Sequence, residues 1–270
     1  MATFYKMKGI PNLGNTCYFS SAVQCILQVP IVANYFILGH YTGDCDFTQE
    51  FQNIAKEIWT SKDENININL FKNIFIIFVN KYSQFKNSNQ HDVQEAFICI
   101  LDILDKSTDL IKTNFYSKIK KEIIFPNGKS ESLDDMIVHF IYPDQSHETI
   151  EDVIAHNEKW STVSGYTDDT GKTHHVATTR TTISTAPKVL VFSLGYRHKI
   201  KLTDHLEVAG VRYSYISSAV HMGNDHHGHY VSVGRHRGKW YLKDDLCISE
   251  IEQSLDNFHY LIIYYINSLT

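Results

Sequence analysis

The sequence predicts one α+β domain, a helical lobe followed by a sheet lobe with a cleft between them. Up to about residue 112, apolar residues recur at helical spacing; beyond it, short apolar runs alternate with turn residues. No Pro/Gly/Ser-rich linker divides the 270 residues, a length that can bury one large core.

The first helix begins beside Cys17. From there Phe19, Ala22, Val23, Ile26 and Leu27 share one face, and Pro30 ends the run. Phe47, Phe51, Ile54, Ala55 and Ile58 trace a second helix, and Leu70 to Tyr82 a third. Val93, Ala96, Phe97, Ile100, Leu101 and Leu104 form the fourth. Past Lys112, Glu122 to Phe125 lead into a Pro-Asn-Gly turn, and the chain beyond that turn reads as strand pieces and loops. Residues 161–185, rich in Thr, Ser and His, read as an extended, exposed excursion. Val189 to Phe192 is a buried strand. Tyr213 to Val220, Tyr230 to Gly234, Lys239 to Leu242 and Tyr260 to Ile266 complete an antiparallel set, with Arg235 to Gly238 as a hairpin link.

Composition excludes several functions. With 43% hydrophobic and 20% charged residues the chain is globular, not disordered. A net charge of −5 and no basic, aromatic-interleaved cluster argue against nucleic acid. No apolar stretch is long enough for a bilayer, and Met1 to Lys6 carry no secretory signal. The cysteines are Cys17, Cys25, Cys45, Cys99 and Cys247, an odd, loosely spaced set without C-x-x-C. That pattern fits free thiols in a reducing compartment, cytosolic or nuclear.

Cys17 at a helix start faces the positive end of the helix dipole and unpaired N–H groups, which favour thiolate over thiol. A small buried apolar residue is the competing reading, and spacing alone does not separate the two. Far downstream, His229 opens a strand and Asp244 comes 15 residues later on the partner strand. A carboxylate there would fix the imidazole tautomer and leave the other ring nitrogen for the thiol. His221, His226, His227 and His229 invite a metal reading, but their spacing matches no helical pair and no further ligand completes it, so neither metal nor cofactor is expected.

These pieces resemble the ubiquitin-specific protease family. Asn12-Leu-Gly-Asn-Thr-Cys-Tyr18 is similar to its cysteine box, and Asn89-Gln-His-Asp-Val-Gln-Glu95 to its glutamine-rich segment. Gly228-His-Tyr230 with Trp240 and Asp244-Asp245 is similar to its histidine box. The resemblance runs from Gly9 to about Ile266. It implies a papain-like cysteine peptidase with a helical thumb (about 1–112), a β palm and reduced or zinc-free β fingers (about 113–270).

It further implies Cys17 as nucleophile, His229 as base and acid, and Asp244 as orienting carboxylate. Asn12 would donate to the oxyanion, a role worth about 3–4 kcal/mol of barrier, and Asp245 would help near that site. Asp92 and Glu95, which also form a capping-box pattern, would meet the arginines of ubiquitin's tail, with Tyr230 lining the substrate site. Strand neighbours point to opposite faces, so Asp244 and Asp245 cannot both face the imidazole unless the strand bulges at Lys243.

The implied activity is hydrolysis after the C-terminal glycine of ubiquitin, with ubiquitin and ubiquitinated proteins as partners and the enzyme a monomer. A peptidase for another ubiquitin-like modifier and a catalytically silent binding module are the alternatives. The chain departs from the family in three places. Phe115 to Ala186 holds no cysteine, where many members carry two zinc-binding C-x-x-C pairs. Leu194-Gly-Tyr-Arg197 replaces the usual strand end, and Lys243 stands where the family has an aromatic. With 16 residues before Cys17, the expectation is a near-bare catalytic core.

Overall fold

A computed structural model describes residues 8–63, 66–87, 89–144, 146–194, 199–223, 228–252, 256–257 and 259–266. Helices α1 (Cys17–Leu27), α2 (Pro30–Ile37), α3 (Asp46–Thr60), α4 (Ile68–Lys81), α5 (Val93–Ser107) and α6 (Leu110–Phe115) form the first lobe. Then come β1 (Ser117–Phe125), β2 (Gly128–Met136), β3 (Val138–Ile141), α7 (Ile150–Asn157), β4 (Ser161–Thr167) and β5 (Thr173–Thr185). The rest is strand: β6 (Val189–Leu194), β7 (Ile200–Lys201), β8 (His205–Val208), β9 (Val211–Gly223), β10 (Gly228–His236), β11 (Lys239–Asp244), β12 (Cys247–Ile251), β13 (Asp256–Asn257) and β14 (His259–Ile266).

Helix α1 is the axle of the first lobe. Every one of its residues is buried, polar ones included, so it is a central helix rather than a surface one. It packs on α5 on one side and on β10 on the other. Phe19 sits among Phe71, Phe75 and Phe78, with ring centroids 4.6–5.8 Å apart. Pro30 does more than end a helix: it occupies the first turn of α2, where its missing N–H costs nothing and its fixed φ suits the geometry. That helix, α6 and α7 are additions to the four helices that the periodicity predicts. Helix α7 opens on a reciprocal cap, Thr149 Oγ1 accepting from Asp152 N (3.2 Å) while Asp152 Oδ2 accepts from Thr149 N (3.0 Å). No single helix among the described residues is long and apolar enough to cross a membrane.

The palm is an eight-stranded sheet in the order β12-β11-β10-β9-β14-β6-β3, with β8 beside β9. It is antiparallel except for β3, which runs parallel to β6. One face closes over the helical lobe through Val189, Val191, Ala219, Leu261 and Ile263. The other face covers Ile150 and Val153 of α7 with Leu190, Phe192, Tyr215 and Tyr264. Buried glutamines clasp the lobes together: Gln94 Nε2 donates to Leu194 O (2.7 Å) and Tyr260 O (3.1 Å), and Gln28 Nε2 to Arg235 O.

The segment at 161–185 is extended and largely exposed, as expected, and the structure adds its pairing. It forms β4 and β5 of a four-stranded fingers sheet, ordered β2-β1-β5-β4. Threonine favours strands, but with much of the sheet solvated, the apolar alternation that marks a strand is missing. Charges link the strands instead, with Lys120 crossing to Glu131 (3.5 Å) and Lys118 to Asp135 (2.7 Å), while Lys120 also meets Glu122 along its own strand (3.0 Å). Arg180 grips Glu122 and stacks over Trp160 at 4.8 Å. Such exposed pairs contribute only about 0–1 kcal/mol each. The tip is tighter: Phe125 lies 4.6 Å from the His174 ring and 5.4 Å from Tyr166, and His174 Nε2 meets Asp168 Oδ2 at 2.7 Å.

Lys243, the departure from the family's aromatic, lies between the lobes. Its Nζ donates to Gln28 Oε1 at 2.8 Å in a buried site. Burial pushes its amine down to about 8, against an ordinary 10.5, with Cys25 opposing. A lowered folded pKa means that the unfolded chain binds more protons between those values, so stability rises with pH across that window. Below pH 8 the full penalty remains, on the order of 3 kcal/mol. Lys243→Met removes it, at the cost of an unpaired Gln28 oxygen. Thermal melts of both proteins are therefore expected to show the variant losing ground to the wild type as pH climbs from 8 to 10.5; a constant difference would mean the amine is charged throughout.

Candidate active site

Cys17 is the first residue of α1, and Thr16 is its N-cap. Thr16 does not cap the helix with its side chain. It turns backward, with Oγ1 accepting from Leu13 N (2.9 Å) while its own N–H and hydroxyl both donate to Asn12 Oδ1 (3.1 and 3.3 Å). The N–H groups of Cys17 and Tyr18 therefore stay free of intrahelical partners. With its oxygen taken, Asn12 turns its amide NH2 outward as a donor of two hydrogens.

The second piece is a β-hairpin. β11 ends at Asp244, which pairs with Cys247 across a two-residue turn at Asp245 and Leu246. Asp245 adopts φ 51°, a left-handed conformation that Asp tolerates better than most residues. Asp245 is thus not on a strand, and the expectation that strand alternation would set the two carboxylates on opposite faces does not hold. Asp244 Oδ1 lies 2.6 Å from His229 Nε2, and Asp245 Oδ2 lies 3.8 Å from the same nitrogen. No bulge at Lys243 is involved; the turn brings both acids round.

The third piece is the segment entering the Cys17 helix. A Cβ on Gly9 would come within 2.2 Å of Asp245 O and 2.6 Å of Leu246 Cα, so only glycine lets this backbone lie on the turn. The contact brings Asn12 to Asp245. Burial raises the Asp245 carboxyl, and the Asn12 amide and His229 counter it. The acids therefore divide their attention, Asp244 to the imidazole and Asp245 to Asn12.

Cys17 meets β10 at Tyr230, one residue past His229. The Tyr230 backbone N–H reaches the sulfur, as do the N–H groups of Tyr18 and Cys17 itself. Those three donors favour thiolate, as expected of a helix start. Burial outweighs them, and the Asp245 charge adds to it, so the thiol is raised rather than lowered. The helix dipole is a local effect, whereas the desolvation is set by the tertiary packing around Cys17. Forming the thiolate here calls for a base, and His229, with Nε2 on Asp244, has Nδ1 left to take the proton.

Asp92 is the N-cap of α5 and accepts from Gln94 N at 2.6 Å. Exposed by area, it is nonetheless crowded: burial raises its carboxyl, opposed by the Gln94 and Glu95 N–H groups, while nearby His221 also lowers it. Glu95 does not complete a capping box; it accepts from Gln84 Nε2 at 3.4 Å. The Tyr230 ring stands edge-on to Tyr260 at 5.8 Å, and Asp92 is close enough to raise its phenol, after burial. Spacing and resemblance give Gln90 and Gln94 no role of their own. Gln94 on a buried helix face is a polar group that must find partners, and that signal is present in the sequence.

Of the histidines weighed for metal, His226 and His227 lie outside the described residues, and His221 packs on Tyr230 and Tyr260. Among the described residues, two groups bring three possible ligand atoms within 4.8 Å of one another: His229 with Asp244 and Asp245, and Asp144 with His147 and His156. In the second, Asp144 Oδ1 already accepts from Ser146 N (2.8 Å) and His147 Nδ1 from Asp144 N (2.9 Å), so both atoms serve the backbone.

A family model described as ubiquitin carboxyl-terminal hydrolase matches residues 8–265. Ubiquitin carboxyl-terminal hydrolase 9 of Arabidopsis thaliana is 31% identical over 124 residues, 42% of this chain and 13% of that protein. Ubiquitin carboxyl-terminal hydrolase 15 of Homo sapiens is 28% identical over 122 residues, 42% of this chain and 12% of that protein. The aligned part is thus a small share of these curated relatives' length. Among solved structures, a chain of the SAGA Ubp8/Sgf11/Sus1/Sgf73 DUB module bound to ubiquitin aldehyde superposes with TM-score 0.85 at 18% identity, covering 98% of this chain and 70% of that one. The same module bound to monoubiquitin gives 0.87 at 17%, covering 100% and 72%. At such identities the likeness is one of fold.

Prolonged dialysis against 1,10-phenanthroline is expected to leave the thermal midpoint unchanged, since the fingers carry no thiolates and Asp144 Oδ1 and His147 Nδ1 already serve backbone N–H groups. A midpoint that falls and returns with added zinc would contradict this.

Proposed function

Because this chain belongs to the ubiquitin carboxyl-terminal hydrolase family, we propose that it is a deubiquitinating thiol peptidase, cleaving the peptide or isopeptide bond after the C-terminal glycine of ubiquitin. The observation that carries this is the Asp244 carboxylate held on His229 Nε2 at 2.6 Å, one residue from Tyr230, whose backbone N–H favours the Cys17 thiolate.

In this reading His229 Nδ1 takes the Cys17 proton as the sulfur attacks the glycine carbonyl carbon. Negative charge moves to the carbonyl oxygen, where the Asn12 amide and the N–H groups at the start of α1 receive it. His229 then protonates the departing lysine amine, and the thioester is hydrolysed by a water that His229 deprotonates. Asp244 holds the ring and stabilises the imidazolium. Asp245 aims the Asn12 amide through one of its two hydrogens, leaving the other for the oxyanion. Asp92, Glu95 and Tyr230 would receive ubiquitin's tail, its arginines pairing with the carboxylates. We place the enzyme in a reducing, cytoplasmic or nuclear compartment, acting as a monomer without a cofactor.

A peptidase for another ubiquitin-like modifier would use the same machinery on a different tail. Incubation with ubiquitin bearing a C-terminal propargylamide, alongside equivalents from other modifiers, decides between them. Covalent capture of ubiquitin at Cys17 is expected; capture of another modifier alone, or of none, would reject the reading.

Cys17→Ala is expected to abolish turnover while leaving folding and ubiquitin binding in place. Asp244→Asn should lower kcat by about 10⁴, as the wrong tautomer does in other triads. Asp245→Asn should lose less, because it acts on Asn12 rather than on the base. Steady-state kinetics of both variants on one fluorogenic ubiquitin substrate test the division; a larger loss at Asp245 would reverse it.

A further inference from the structure

Backbone groups along a strand alternate in direction, so every second residue faces the same neighbour. The β10–β11 hairpin closes on the His236–Lys239 pair through the turn at Arg237 and Gly238. Residues 236, 234, 232, 230 and 228 therefore turn their N–H and C=O toward the side of β11. The pairing with β11 stops at Ser232 and Lys243. Past that point the strand edge is open, and the helical lobe supplies what β11 does not. The Tyr230 N–H goes to Cys17. At Gly228 both groups go to one side chain: Gln90 Nε2 donates to Gly228 O, and Gly228 N donates to Gln90 Oε1 at 3.3 Å.

On its other edge Gly228 pairs with Gly223, at the end of the ladder with β9. Neither glycine has a side chain to pack, so this terminal pair anchors the strand weakly. A Cβ on Gly228 would fall 1.9 Å from His221 Nε2, so a larger residue requires that ring to move. As the chain stands, the residue before the proposed base is fastened through its backbone.

We propose that Gln90 is a positioning residue: its amide completes the missing strand edge at Gly228 and so fixes His229 in register with Cys17. Gln90 also lies two residues before Asp92, the N-cap of α5. One short loop thus joins the place proposed for ubiquitin's tail to the base that acts on it. This inference rests on the peptidase reading for its kinetic half and on the geometry alone for the other.

The test uses Gln90→Leu, which keeps bulk and removes both hydrogen bonds from an exposed position. Two readouts are taken on protein whose melting temperature has been compared with the wild type. On ubiquitin-aminomethylcoumarin, kcat is expected to fall on the order of 10- to 100-fold, the scale of a small misplacement of a catalytic group, with KM little changed. In the second readout, Cys17 is alkylated by iodoacetamide across pH without any ubiquitin; the onset should move to higher pH, toward that of a buried thiol with no aligned imidazole. Gln90→Glu keeps the acceptor for Gly228 N but sets a carboxylate against Gly228 O, and should do no better than the leucine variant. An alkylation profile identical to the wild type overturns the proposal, as does a loss confined to KM or to melting temperature. If the wild type fails to turn over the ubiquitin substrate, the peptidase reading fails, while the alkylation profiles still decide whether Gln90 aligns His229.

Discussion

The place where β11 stops governs the chemistry of this molecule. A strand in mid-sheet spends its backbone groups on two neighbours; β10 does so from Ser232 to Gly234, and from Val231 back to Gly228 it keeps only β9. The vacated edge is where the helical lobe docks, with the first turn of α1 against Tyr230 and the loop before α5 against Gly228. An unpaired edge is ordinarily a liability. Here it is the surface on which Cys17 and the strand carrying His229, the proposed nucleophile and base, come together from opposite lobes. The hairpin that ends β11 does a second job with the same turn, delivering Asp244 to the imidazole and Asp245 to Asn12.

Around that junction, polar side chains do what apolar packing alone does not. A hydrophobic interface tolerates sliding, because burial is nearly indifferent to direction. Hydrogen bonds are not. Gln94 ends on two carbonyls from different strands, Gln28 ties the end of α1 to Arg235, and Gln24 Nε2 donates to Lys8 O at 3.1 Å beside the segment that carries Asn12. Each fixes a distance between elements far apart in the chain. Lys243 joins this set at a cost, since its amine is desolvated for a single bond to Gln28.

Much of the site is legible in the sequence because its residues carry chemistry in their identity. A Cys at a helix start, a His opening a strand and an Asp on the partner strand can be read from order and spacing, and the resemblance adds Asn12. What cannot be read is tertiary. Cys17 gains two N–H donors locally and a third from Tyr230 of β10, but burial outweighs all three, so the helix start alone gives the wrong direction for the thiol. Asp245 leaves the strand at a positive φ that no period-two rule anticipates. Gln90 sits in a polar loop, where nothing in the pattern says how far an amide reaches. In the fold, the helices at Phe47, Leu70 and Val93 stand out by their period. β4 and β5 do not, because a largely solvated sheet has no apolar alternation to show, and α2 hides behind a proline that reads equally as an end and a beginning.

Gly9 lies on the Asp245–Leu246 turn, and that contact has a temporal meaning. A ribosome releases Cys17 long before the turn that completes its surroundings. The helical lobe is built largely of neighbours in sequence and can begin to order while the sheet is still being made. Until the last hairpin emerges, Cys17 has neither the imidazole nor the acids that orient it. In the proposed reading the growing chain carries Cys17 unarmed until that hairpin emerges, and the order of manufacture itself delays activity until the two can close on each other.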